Sequence, residues 1–197
     1  DTKELVMGEM PWYVLCAVGG CLLVLFLSLE SWLTPFLFML GLLFPLVYNF
    51  GTNIFLGQVC FITVSLAAVL QLGVTMDYSI FLWHSFEEHM EKTNGDKYEA
   101  MAEAIRATIS SVVGSSITTV AGFIALCFMS FTLGLDLGVV MAKGVVLGVI
   151  SCVTILPAFI LVFHKAIEKT KHRHLLPDFD KVPRWIAKHY KIFIAVF

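Results

Sequence analysis

The sequence predicts an all-α membrane protein, a bundle of five transmembrane helices. Three observations carry this. Of the 197 residues, 58% are hydrophobic and only 14% charged, against about a quarter charged in a soluble domain, and the mean hydropathy is +0.86. Five apolar runs have the roughly 18–25 residues that a helix needs to cross a hydrocarbon core about 30 Å thick. The charges are gathered in short stretches between and after those runs, so the formal net charge of -2 says less than their placement.

The runs are 12–29, 32–50, 59–83, 112–133 and 137–163. Glu30 and Ser31 separate the first two; Gly51, Thr52, Asn53 and Gly57 make a turn before the third. Gly134 and Asp136 stand between the last two. Backbone polar groups in lipid must be satisfied within the segment, so helices are expected, and no alternating pattern suggests a barrel. Lys92, Lys97 and Arg106 lie between the third and fourth runs, and eight Lys or Arg lie between Lys165 and Lys191. Two crossings separate these regions, so both face the cytoplasm by the positive-inside rule, and residues 1–11 fall outside as the end of an extracytoplasmic segment.

Between the third and fourth runs, Asn94-Gly95 signals a turn, and Asp96 with Glu99 resembles a capping box. The alanines at 100, 102, 104 and 107, with a Glu103–Arg106 pair at three-residue spacing, favour an amphipathic helix lying at the membrane surface before the fourth span. Residues 164–190 read as a basic cytoplasmic linker helix broken by Pro177 and Pro183, with Trp185, Ile186 and Tyr190 among Arg184, Lys188 and Lys191, a pattern suited to an anionic leaflet. Residues 191–197 (KIFIAVF) begin a further apolar run, and Asp1 is no initiator Met. The chain therefore reads as a segment of a larger membrane protein.

Asp77 is the candidate functional residue. A charge at membrane depth costs at least about 2.5–3.5 kcal/mol on insertion scales, so it ordinarily faces a protein interior or a wet cavity and marks a functional path. It lies about a turn and a half of helix before Trp83, too deep for a cap, and can load and release a proton. Asp77, Phe81, His84 and Glu88 share one helical face. His84, roughly 10 Å nearer the cytoplasm, is either a relay station or a headgroup-level side chain. Gln71, Thr75 and Tyr78 make an adjoining polar stripe able to bond to facing helices. In the fourth run, GSSITTVAGF offers the hydroxyls of Ser115, Ser116, Thr118 and Thr119. These either bond to their own helix and pack closely, or solvate the carboxylate. Lys143 either snorkels to the outer interface or pairs with Asp77. Gly144 and Gly148 form GxxxG, a weak packing signal.

Other chemistry finds little support. Cys16, Cys21, Cys60, Cys127 and Cys152 lack CxxC spacing and read as small hydrophobes. His172 and His174 project to different sides of a helix with no third ligand nearby, so no metal is expected. No phosphate-binding loop is present, and neither a cofactor nor a nucleic-acid partner is expected. An intramembrane aspartyl protease needs two carboxylates, and only Asp77 is deep enough, so an enzyme is not expected.

The order SLESWLTP, NFGTNIFLGQVCFIT, GVTMDYSIFL, SSVVGSSITTVAGFIAL, MAKGVVLG and LPAFIL resembles the first-half transmembrane core of MMPL-type exporters of the resistance-nodulation-division superfamily. The Asp-Tyr pair followed by Ser-Ser-x-Thr-Thr is its specific part. The resemblance implies proton-driven export of lipids, other hydrophobic molecules or drugs across a bacterial plasma membrane, with Asp77 and Tyr78 in the proton relay. It also implies a second transmembrane half of the same polypeptide and extracytoplasmic domains. Five helices of this superfamily also resemble a sterol-sensing domain, and Sec accessory proteins are related, so a lipid-binding regulatory module or a translocation accessory is the alternative.

Overall fold

The computed structural model describes residues 2–29, 31–57 and 59–170. These form five long helices: α1 Thr2–Ser28, α2 Thr34–Thr52, α3 Phe61–Lys92, α4 Lys97–Leu126 and α5 Thr132–Lys169, with a 3-10 turn at Asn53–Leu56 after α2. No strand is present among the described residues. All five helices are long and apolar enough to cross a membrane, as the five apolar runs require. Residues 171–197, which hold most of the expected linker and the further apolar run, lie outside the described residues.

The helices run up and down, and contacts at both ends fix that order. At one end the Trp32 amide donates to the Thr170 carbonyl across 3.3 Å, and the Ser31 and Thr170 hydroxyls lie 2.7 Å apart, joining the α1–α2 turn to the end of α5. At the other, the Cys60 amide donates to the Asp136 carboxylate across 3.2 Å, joining the start of α3 to the first turns of α5. Lys92 and Lys97, on either side of the loop 93–96, fall at the Trp32 end, the end that the charge rule expects to face the cytoplasm.

α3 is the central helix, packed on α1, α2, α4 and α5, while α1 is held mainly by α3. Lipid tails are as apolar as leucine, so helix association here depends on close packing and internal polar contacts rather than on escape from water. Both are visible. A Cβ on Gly138 would lie 2.5 Å from the Phe123 carbonyl oxygen and 2.6 Å from Cys127 Sγ, so α4 and α5 approach to backbone contact. Near the Trp32 end, Phe38, Trp83, Phe86 and His164 form a chain of tilted and edge-on rings with centroids 5.8–6.0 Å apart, favoured arrangements for aromatic pairs.

Two boundaries differ from the sequence reading. The expected surface helix and the fourth span are one unbroken rod, α4, because nothing in 97–113 interrupts a helix and Ala100, Met101, Ala104, Thr108 and Val112 continue a single buried stripe. At ~1.5 Å per residue it is about 45 Å long, so its first turns stand clear of a 30 Å core. The break before α5 falls at 127–131, ahead of Gly134 and Asp136. Gly134 and Gly138 belong inside α5, where their bareness admits α4.

The turn before α4 follows its chemistry. Asn94 and Gly95 have φ of 52° and 87°, the left-handed region that Asn tolerates and Gly occupies freely. The Asp96 carboxylate then accepts from the amides of Tyr98 and Glu99 at 2.9 and 3.4 Å, satisfying donors a helix start leaves open. Asp96→Ala is expected to cost about 1 kcal/mol. Hydrogen exchange should show faster exchange at the Tyr98 and Glu99 amides, with the rest of α4 unchanged.

Candidate functional site

α3 sorts its residues by face. Met76, Tyr78, Ser79, Leu82, Trp83 and Phe86 point inward; Leu70, Asp77, Phe81, His84 and Glu88 are exposed. The Asp-Tyr pair is thus split: Tyr78 packs in the core at 9% exposure, and Asp77 stands on an open face about 24 Å of helix from Phe61. The sequence reading expects Asp77 to face a protein interior or a wet cavity; the five helices by themselves do not give it the interior. At about 100° per residue, burying Thr75, Met76, Tyr78 and Ser79 together leaves Asp77 as the position on the opposite side. No described residue gives the Asp77 carboxylate a hydrogen bond or ion pair, although Cys21 of α1 lies within its electrostatic reach.

The fourth-helix hydroxyls are turned to their own helix. Ser115 and Ser116 both donate to the Val112 carbonyl, Ser115 at 3.1 Å. Thr118 and Thr119 donate to the Ser115 carbonyl at 2.7 and 2.9 Å. They solvate their own backbone, not the carboxylate, as hydroxyls in apolar helices commonly do. Ser115 and Thr118 are exposed, and Cβ atoms built on Gly114 and Gly122 of α4 meet nothing within 4 Å. Small and hydroxylated side chains therefore mark an uncovered face of this helix. His84 is also exposed, its Nδ1 3.8 Å from Glu87.

Of the two courses the sequence suggested for Lys143, the pair with Asp77 is not formed: the side chain reaches instead for the C-terminal end of α2, which the charge rule places at the outer side. Its ammonium donates to the Asn49 carbonyl at 3.0 Å and to Asn53 Oδ1 at 2.7 Å. The first is a backbone carbonyl in the last turn of α2 and the second the side chain of its C-cap residue, where the helix dipole favours a cation. Lys143 thus caps a neighbouring helix and does not reach Asp77. Lys143→Met is expected to lower thermal stability by about 1–2 kcal/mol, the usual worth of hydrogen bonds to a charged group. Thermal unfolding in detergent would measure it, with Lys143→Arg losing less.

A second polar assembly fills the interior between α2, α3 and α5. Asn49 donates to Gln71 Oε1 at 2.6 Å and to the Val140 carbonyl at 3.2 Å, and Gln71 Nε2 donates to the Gly144 carbonyl at 3.3 Å. Thr75 and Ser79 continue the line down α3, bonded to the carbonyls of Gln71 and Thr75. Ser151 donates across to the Gly41 carbonyl at 3.2 Å. The two glycines of the GxxxG pair make room for it: a Cβ at Gly144 would lie 2.6 Å from Asn49 Nδ2, and one at Gly148 2.7 Å from Thr75 Oγ1. Gln71 and Thr75 belong to the expected polar stripe. Asn49, at the end of the second apolar run, was not singled out because its partners Gln71 and Val140 are remote in sequence. His172 and His174 lie outside the described residues.

A model of the MMPL family matches residues 1–189. The membrane protein ActII-3 of Streptomyces coelicolor is 33% identical over 51% of this chain and 14% of its own length. A second membrane protein of Streptomyces coelicolor is 29% identical over 84% of this chain and 24% of its own. The apo-petrobactin exporter of Bacillus anthracis is 29% identical over 74% of this chain and 21% of its own. The chain thus spans under half the length of these curated relatives. No solved structure matches it.

Proposed function

This chain belongs to the MMPL family, and on that premise we propose that it is the proton-relay transmembrane segment of an exporter of lipids, hydrophobic molecules or drugs. The observation that carries the reading is Asp77, a carboxylate deep along a membrane helix with no hydrogen-bond or ion-pair partner among the described residues. A bare charge facing lipid is costly enough that the face must be covered by further transmembrane structure or wetted by a passage. A second transmembrane half of the same polypeptide, seated over α3 and the small-residue face of α4, would supply both. The exporter of Bacillus anthracis, a relative that moves apo-petrobactin, supports export as the activity.

The chemistry follows from that placement. Protonation neutralises Asp77 and weakens its hold on polar groups across the covered face; deprotonation restores it, so that α3 shifts against its neighbours once per cycle. One charge moved across 100 mV is worth about 2.3 kcal/mol, and one unit of pH difference adds about 1.4 kcal/mol. A few protons per cycle are therefore enough to drive a steep gradient. His84, Glu88 and the cytoplasmic end of α3 lie along the same face and would continue the path inward. Tyr78, anchored in the core beside Asp77, would hold the register of the helix that carries the carboxylate.

The test is energised export of the lipophilic dye Nile red from vesicles carrying the full-length protein, with and without Asp77→Asn. Loss of protonophore-sensitive export supports the relay; unchanged export removes it. A lipid-binding regulatory module is the second reading, favoured by a purely apolar groove of about 370 Å³ between α4 and α5 lined by Val113, Ile117, Val120, Ile124, Val146 and Ile150. Lipid binding there that ignores both the proton gradient and Asp77→Asn would favour the module.

A further inference from the structure

We propose that Asp136 is a positioning residue for the relay: with Lys143 it pins one end of α3 to α5, so that the movement driven at Asp77 is a swing of the other end. The pinned end lies opposite Trp32 and is the outer one under the charge rule. This role rests on the relay reading of Asp77 and adds the fixed point against which the carboxylate works.

The turn that joins α2 to α3, residues 51–60, has no charge of its own. α2 has no basic residue in its last turn, α3 has no acidic residue in its first, and the N-cap Cys60 makes no side-chain cap. α5 supplies both signs. The Asp136 carboxylate accepts from the Cys60 amide at 3.2 Å, at the positive end of α3. The Lys143 ammonium donates to the Asn49 carbonyl and Asn53 Oδ1, at the negative end of α2. Each charge thus stands where a helix dipole favours it. Seven residues apart in sequence, the two share a face of α5 and lie about 10 Å from each other along its axis. A hydrogen bond to a carboxylate is roughly twice as strong as a neutral one, so α3 resists sliding along α5. The depth of Asp77, about 25 Å of helix beyond Cys60, is therefore set from the outer end.

Packing repeats the asymmetry. In the outer half of α3, Gln71 Nε2 donates to the Gly144 carbonyl at 3.3 Å, and a Cβ on Gly148 would lie 2.7 Å from Thr75 Oγ1. Close-packed contact of this kind leaves no slack. Toward the Trp32 end the same two helices leave a cavity of about 470 Å³ lined by Trp83, Phe86, Met90, His164 and Ile167 among others. α3 is tied and tightly packed at one end and has space beside it at the other, as a lever does.

The test measures export of Nile red by the full-length protein in energised vesicles, per amount of folded protein judged by gel filtration. Asp136→Leu is expected to lower the maximal rate about tenfold, the scale of one lost hydrogen bond to a charged group, with the half-saturating dye concentration unchanged. Asp136→Asn, which keeps an acceptor oxygen, should lose less. A covalent tie then replaces the carboxylate. In a background free of other cysteines, Asp136→Cys is joined to Cys60 by a short bis-methanethiosulfonate bridge, which is expected to restore most of the rate. The same bridge between Phe86→Cys and His164→Cys, replacing rings 6.0 Å apart, is expected to stop export until a reductant opens it. No recovery with the outer bridge, full export with the inner bridge closed, or a loss in Asp136→Leu no larger than its loss of folded protein would overturn the proposal. Asp77→Asn in the same assay reads the relay separately: unchanged export there removes the relay, while the two bridges still decide whether the outer end is fixed.

Discussion

Asp77→Asn is expected to abolish proton-driven export while leaving the protein folded. The substitution keeps the size and polarity of the side chain and removes its ability to exchange a proton. In the five-helix unit Asp77 touches no described hydrogen-bond partner, so no internal contact is lost. The expected loss of rate is at least about a hundredfold, the lower bound for removing a group that must carry a proton in each cycle. Thermal unfolding should change little, or rise slightly, because a costly charge has been taken out of the membrane. Tyr78→Phe should be milder: the ring still fills its place in the core, so the fold is kept and export falls only in part. Export by Asp77→Asn at the wild-type rate, still collapsed by a protonophore, would place the coupling group elsewhere.

The second large effect is structural. Gly138→Val is expected to cost about 3 kcal/mol or more and to part α4 from α5, because overpacking costs most where the obstacle cannot rotate away. The first atom met is the Phe123 carbonyl oxygen, at 2.5 Å from even a Cβ, and backbone in a helix has no alternative rotamer. Gly144→Val should be comparable, since its Cβ would strike the Asn49–Gln71 hydrogen bond. Gly122→Val is the informative contrast. Nothing lies within 4 Å of its added Cβ in this unit, so a loss of stability in the full-length protein would reveal an element packed over that face. Thermal melts of the three variants in one detergent would decide between these outcomes.

What the sequence made legible, and what it concealed, divides along a physical line. The five helices were legible because each apolar run is long enough to span and the breaks before α2, α3 and α4 carry Gly, Asn or charge, whereas the break at 127–131 (CFMSF) carries none and was therefore placed too late, at Gly134 and Asp136. Asp77 was legible because a carboxylate so far from either end of a run has no bland explanation. Its exposure was not: helical periodicity shows which residues share a face, not which face the rest of the protein covers. The union of the surface segment with α4 was missed because charge and composition change near residue 110 while helix propensity does not. The partners of Lys143 were not legible, because Asn49 and Asn53 lie 94 and 90 positions away. The hydroxyls of Ser115, Ser116, Thr118 and Thr119 sat between two uses that sequence cannot separate, and their geometry favours the local one.

This division also explains why an incomplete relay is compatible with a well-packed unit. The interior between α2, α3 and α5 is closed by Asn49, Gln71 and Lys143, which fix these helices without any help from Asp77. The opposite face of α3, with the adjoining small-residue face of α4, is left free to meet a partner surface.

Infrared difference spectroscopy on the full-length protein tests the central claim most directly, by following the carboxyl C=O stretch as pH is stepped. The account predicts a band from a protonated carboxyl that appears and vanishes reversibly with pH and is missing in Asp77→Asn. Identical difference spectra for the wild type and Asp77→Asn across the pH range would contradict it.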